Sequence, residues 1–170
     1  MYALLIGINE YASSTVNNLG GCTNDVDAMS QLLQERFQVP ADNIRTLKNS
    51  EATAANIEAA FRSHLIERAR ELASTSSELP PFLFHYSGHG SQAPDPTGTE
   101  PDGMDETVVP HDSRSGDVFD IKDWQLGEWL DELTAFTDNV TVILDCCHSG
   151  SGTRTFEGVG MNQTLPCMRP

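Results

Sequence analysis

Basic residues are scarce: ten Lys and Arg stand against 25 Asp and Glu, a net charge of −15. A surface of that sign repels phosphate backbones and anionic lipid, which argues against nucleic acid or membrane as partner and suits cationic substrates. Simple solubility would account for the overall charge equally well. Long apolar runs are missing too, since none approaches the roughly 20 residues that span a bilayer. The opening Met1-Tyr-Ala-Leu-Leu-Ile-Gly-Ile-Asn9 has no basic leader and no small-residue cleavage site, so it reads as a strand and not as a signal peptide. Cysteine is sparse, and Cys22, Cys146, Cys147 and Cys167 show no disulfide-framework spacing. That combination predicts free thiols in a reducing, cytoplasmic setting, where Asn139-Val-Thr and Asn162-Gln-Thr have no meaning as glycosylation signals. With no internal repeat, the 170 residues suffice for one substantial core.

Strand and helix patterns alternate along the chain. Tyr2–Ile8 is a continuous apolar run, fit for a central strand buried on both faces. Asn24 or Asp25 opens a helix with Val26, Met29, Leu33 and Phe37 on its apolar face, and Pro40 ends it. Residues 43–48 read as a short strand. A helix from about Thr53 carries Ile57, Phe61, Leu65, Ala69 and Leu72, and a polar break at 74–78 precedes a third strand. After Gly90 comes a long acidic loop rich in Pro and Gly. Another amphipathic helix presents Leu126, Trp129, Leu130, Leu133 and Phe136, and a fourth strand leads to Cys147. From Ser151 the periodicity vanishes. Strands alternating with helices predict an α/β fold with a parallel sheet covered on both faces.

Two apolar runs end in polar glycine turns: Pro80-Pro-Phe-Leu-Phe-His85-Tyr-Ser-Gly-His89-Gly90 and Val140-Thr-Val-Ile-Leu-Asp145-Cys146-Cys147-His148-Ser-Gly150. Neighbouring parallel strands release their side chains at the same carboxyl edge, so a thiol and an imidazole would meet there. Side chains alternate along a strand, so the adjacent cysteines face opposite ways. Cys147, at the turn, is the exposed nucleophile, and Cys146 faces the core or the opposite face. Of the histidines, His85 sits inside the apolar run as a packed, hydrogen-bonded core residue, and the ring of His148 points away from its neighbour. His89, flanked by Gly88 and Gly90 where backbone can approach a substrate, is the general base and acid. Gly88-His89-Gly90 also faintly suggests a phosphate loop, but Pro94 and Pro96 prevent the helix such loops need. Zinc fails on spacing, because no Cys-x-x-Cys pair is present.

His85-Tyr-Ser-Gly-His-Gly90 and Asp145-Cys-Cys-His-Ser-Gly150 resemble the two catalytic motifs of metacaspases and their bacterial relatives, the orthocaspases. Ala3–Asn9, Leu19-Gly-Gly-Cys-Thr-Asn-Asp25 and Asp102-Gly-Met-Asp-Glu-Thr-Val-Val-Pro110 are similar to the family's first strand, following loop and acidic loop, in the same order. The resemblance covers about residues 2–152. It implies a caspase-like three-layer sandwich, with a mainly parallel central sheet and helices on both faces. It also implies a dyad of Cys147 and His89, and an oxyanion hole from the N–H groups of Gly90 and Cys147. Asp25 and Asp145 match the positions lining the primary specificity pocket, where paired carboxylates would grip a guanidinium. Asp25 read without the resemblance is a helix cap. Cleavage after Arg, and less surely Lys, follows; an Asp side chain would meet like charge.

Two departures from the family pattern stand out. The activating calcium site implied by the resemblance uses Asp105 and a consecutive Asp pair, then an Asp seven residues after the nucleophile. Here Asp105 and Asp123 are present, but Trp124 and Arg154 occupy the other two places. Calcium wants six to eight oxygens, so the expectation is activity without calcium or any other cofactor. Asp112, Asp117 and Asp120 are the compensating candidates; otherwise the loop is simply solvated acid. The second departure is length: the family's domain continues with a small-subunit segment that completes the sheet, and little of it fits after Ser151. The expected organisation is a catalytic large-subunit region at 1–152 and a flexible tail or inter-subunit linker at 153–170. Arg154 and Arg169 are candidate self-processing sites. The expected partners are peptides or proteins with basic residues and the missing C-terminal small-subunit segment.

The sequence thus predicts an arginine-directed cysteine endopeptidase acting through a thioester. Its rivals are a non-catalytic caspase-like interaction or regulatory module, and a cysteine hydrolase acting on something other than peptides.

Overall fold

A computed structural model of the chain describes residues 1–96, 98 and 101–146. Four strands form a parallel sheet in the order β2-β1-β3-β7: β1 (Tyr2–Gly7), β2 (Ile44–Lys48), β3 (Phe82–Ser87) and β7 (Val140–Asp145). Register aligns Gly7 with Ser87, and Ser87 with Asp145, so the carboxyl ends finish level. The continuous apolar pattern of β1 and β3 follows from burial on both faces: every residue from Ala3 to Ile6 and from Phe82 to Ser87 is buried.

Helices cover the two faces. On one lies α1 (Cys22–Phe37), whose Val26 and Leu33 pack on Ala3, Leu5 and Leu83. On the other lies a continuous helical rod of α2 (Ala54–Ala60), a π turn (Phe61–Ile66) and α3 (Glu67–Ala73), joined by α4 (Asp123–Thr134). Ile57, Phe61, Leu65, Ile66 and Ala69 from the rod meet Leu126, Trp129, Leu130 and Leu133 from α4 over Leu4, Ile6, Phe82, Phe84 and Tyr86. Phe61, Leu65 and Ile66 of the π turn all enter this core. The architecture is a three-layer α/β sandwich.

Helix α1 begins at Cys22, two or three residues before the expected Asn24 or Asp25. Its first N–H is received by a distant side chain: Asn9 Oδ1 accepts from Cys22 N at 2.9 Å, while Asn9 Nδ2 donates to Thr23 Oγ1 at 2.8 Å. Gly7 permits the contact, since a Cβ there would lie 2.5 Å from the Cys22 carbonyl oxygen. At the far end Thr53 caps α2 by accepting from Asn56 N.

The acidic stretch after Gly90 is not simply a loop. It folds into a small antiparallel sheet of β4 (Gly90–Pro94), β5 (Met104–Val108) and β6 (Ile121–Lys122). The charges that argued for solvated coil are neutralised internally. Asp120, 8% exposed at its side chain, accepts from Arg114, Thr107 and Ser113. β7 differs from expectation as well, because as edge strand it half-buries only alternate residues, and Ile143 is 36% exposed. Among the described residues nothing pairs with its outer edge.

Candidate active site

His89 leaves the carboxyl edge of β3 and is held at its backbone by two phenols. Its N–H donates to Tyr11 Oη at 2.8 Å, and its carbonyl accepts from Tyr86 Oη at 2.7 Å. Val109 N also donates to that carbonyl, at 3.0 Å, which ties the turn to the end of β5. Gly88 makes the phenol contacts possible, because a Cβ there would lie 2.6 Å from Tyr86 Oη and 3.1 Å from Tyr11 Oη. The Tyr11 and His89 rings pack at 5.1 Å between centroids. Burial pushes the Tyr11 phenol up to about 12, against the lowering effect of the His89 N–H, so its hydroxyl is neutral at any working pH.

The imidazole itself is oriented by backbone. His89 Nε2 lies 2.8 Å from the carbonyl oxygen of Asn17. A carbonyl only accepts, so Nε2 carries the hydrogen and Nδ1 is the basic nitrogen. Gly90, next in the chain, opens β4 opposite Val108.

Asp25, in the first turn of α1, accepts from Ser87 Oγ at 2.9 Å. Asp145 sits beside Ser87 in register, and paired residues of a parallel sheet share a face, so both carboxylates flank the Ser87 position. Both are exposed. The helix cap expected of Asp25 is instead made by Asn9. Cys22, buried in the same corner, hydrogen-bonds Ser87, and burial holds its thiol above the ordinary range. His85 projects to this face too. It is packed, as expected, but its buried Nδ1 has no hydrogen-bond partner among the described residues. Burial therefore lowers its pKa, although Asp145 and Asp25 pull the other way.

Asp105 and Asp123 lie apart from this edge, in the small sheet and at the start of α4. The Asp105 side chain is 3% exposed and pairs with Lys122 Nζ at 2.8 Å. The same ammonium donates to the Pro94 carbonyl at 3.1 Å. Burial first, with the Asp105 charge adding to it, holds the Asp123 carboxyl above its usual range.

Cys147, His148, Arg154, Cys167 and Arg169 lie outside the described residues. The described chain reaches Cys146, which packs against the main core at the end of β7. Sequence reasoning gave no role to Tyr11, Asn17, Asn9, Ser87 or Cys22. Tyr86 and Ser87 stand inside the quoted motif, where strand alternation could have assigned them to opposite faces. Tyr11 and Asn17, 78 and 72 residues from His89, carry no such signal.

A family model described as metacaspase, peptidase C14 domain, matches residues 2–155. Metacaspase-1 of Schizosaccharomyces pombe is 37% identical over 150 residues, which cover 87% of this chain and 33% of that protein. Metacaspase-1A of Aspergillus oryzae is 38% identical over 88% of this chain and 34% of its own length. Metacaspase-9 of Arabidopsis thaliana is 35% identical over 87% and 43%, respectively. A crystal structure of a protein from Geobacter sulfurreducens matches with a TM-score of 0.61 at 28% identity, over 88% of this chain and 51% of that one. The chain thus spans 33–43% of the length of these curated relatives.

Proposed function

Because the chain belongs to the metacaspase family of peptidases, we propose that it is an arginine-directed cysteine endopeptidase with Cys147 as nucleophile and His89 as general base and acid. The observation that carries this reading is the setting of His89, whose backbone is fixed at both ends and whose Nε2–H is committed to Asn17. A base with one nitrogen tethered presents the other in a defined direction, which is what proton transfer to a bound partner requires.

In the reaction, Nδ1 takes the Cys147 thiol proton and the thiolate attacks the peptide carbonyl. The oxyanion is received by the N–H groups of Gly90 and Cys147. Collapse breaks the C–N bond, and Nδ1 returns the proton to the leaving amine. Water, deprotonated at Nδ1, then attacks the thioester and expels the Cys147 sulfur. Asp25 and Asp145 select the residue before the scissile bond. Support comes from their shared placement around Ser87, whose hydroxyl fixes one carboxylate and leaves the charge unneutralised for a guanidinium or, less well, an ammonium.

Basic peptides and proteins are the proposed substrates, with Arg154 and Arg169 of the chain itself among them. The outer edge of β7, unpaired among the described residues, and the half-exposed Ile143 suit a further strand from a small-subunit segment. A reducing cytoplasm agrees with the free thiol of Cys22. No described helix is long and apolar enough to cross a membrane.

The test is a peptide carrying arginine and a thiol-reactive group, read by mass spectrometry. The proposal expects one label per chain, on Cys147, and much slower labelling in His89→Ala. No labelling, or equal labelling by the aspartate analogue, would favour the non-catalytic module.

A further inference from the structure

The acidic sheet beside the catalytic turn poses a problem of charge. Asp105 is buried in β5, and Asp123 at the start of α4 is held above its usual range by burial first and by the Asp105 charge as well, yet a carboxylate out of water needs a cation. The family resemblance implies calcium for this place, and the residues present do not fit it. The Asp105 carboxylate is already engaged by the Lys122 ammonium. Asp112, one compensating candidate, accepts from Ala54 N at 2.8 Å and so serves the start of α2. Asp120, another, is committed to Arg114, Thr107 and Ser113. Among the described residues no three His, Cys, Asp or Glu side chains converge.

We propose that Lys122 is the resident cation of this sheet, its ammonium doing from within the chain what a divalent ion would otherwise do. The geometry is that of a clamp. Lys122 closes β6 and caps the entry to α4, its backbone N–H donating to Gln125 Oε1 at 3.0 Å. Its Nζ reaches Asp105 on β5 and the Pro94 carbonyl at the end of β4. One charge therefore ties three strands and a helix. That sheet is continuous with the catalytic turn, because Gly90 pairs with Val108 and Val109 N donates to the His89 carbonyl. A lysine is always present, so the turn is braced without any ion arriving.

The Lys122 clamp is independent of peptidase activity and is tested by folding. The chain, Lys122→Met and Lys122→Arg would be melted with millimolar calcium chloride and with a chelator, and the unmutated chain titrated calorimetrically with calcium chloride. The expected result is no one-to-one calcium heat and no change of Tm with calcium or chelator. Lys122→Met, which leaves Asp105 buried without its cation, should melt lower by about 5 °C or more. Lys122→Arg, which keeps the charge, should lie between that variant and the unmutated chain. One-to-one calcium binding that raises the Tm of the unmutated chain would overturn the proposal. So would a Lys122→Met variant as stable as the original, or an arginine variant no better than methionine.

Discussion

Replacing Gly88 by alanine adds one methyl group at the point where the His89 turn is gripped. The new Cβ would fall 2.6 Å from Tyr86 Oη, 2.8 Å from its Cζ and 3.1 Å from Tyr11 Oη. A flexible side chain would step aside, but Tyr86 is fully buried and its hydroxyl is engaged by both the His89 and Val109 carbonyls. Moving it costs about 1–3 kcal/mol of overpacking. Loosening the two phenol bonds to His89 adds about 1 kcal/mol each. At roughly 2–4 °C per kcal/mol for a chain of this size, the sum of about 3–5 kcal/mol lowers Tm by about 6–20 °C. The imidazole moves with its backbone, and a shift on the order of 1 Å is expected to reduce kcat about 100-fold. Thermal melting and turnover of an arginyl peptide are the assays. Gly127→Ala is the control, because nothing lies within 4 Å of a Cβ there and its helical site should gain about 0.5–1 kcal/mol. A Gly88→Ala chain that melts and turns over like the original would refute the reasoning.

Tyr11→Phe removes the acceptor of the His89 N–H while keeping the ring, so kcat should fall about tenfold with KM nearly unchanged; an effect confined to KM would count against a positioning role. Ser87→Ala removes the donor that fixes Asp25, and kcat/KM for arginyl peptides should drop about tenfold through KM, whereas an unaltered KM would detach Asp25 from binding. His85 and His64 are both held below the ordinary histidine range by burial. Their unfolded forms therefore bind protons first. The stability they allow is complete above about pH 6.5 and is lost as pH falls toward their lowered folded values. Urea midpoints should fall between pH 7 and pH 5, and less steeply in His85→Leu; parallel slopes would argue that His85 is already charged in the fold.

What was legible in the sequence was what short-range periodicity encodes. The unbroken apolar runs of β1 and β3, the 3.6-residue stripe of α4 and the helix start near Thr53 all stand where the pattern predicts. So does the meeting of strand ends at one edge, because parallel topology and level register leave little choice. The failures share a cause: partners distant in sequence. Asn9 moves the start of α1 by supplying a cap that no local residue announces. Lys122 and Arg114 turn an apparently solvated acidic stretch into β-structure by neutralising Asp105 and Asp120, 17 and 6 residues away. Tyr11 and Asn17 reach His89 from the loop after β1, where one sequence offers nothing to mark them. β7 read as buried because its apolar residues are consecutive, yet as edge strand it covers only one face.

The measurement that bears most directly on the account is hydrolysis of paired fluorogenic peptides, alike except for a terminal Arg or Asp, by the chain and by Cys147→Ala. The account predicts turnover of the arginyl peptide alone, abolished in the variant and indifferent to calcium. Cleavage of the aspartyl peptide, or arginyl turnover that survives loss of the Cys147 thiol, would contradict it.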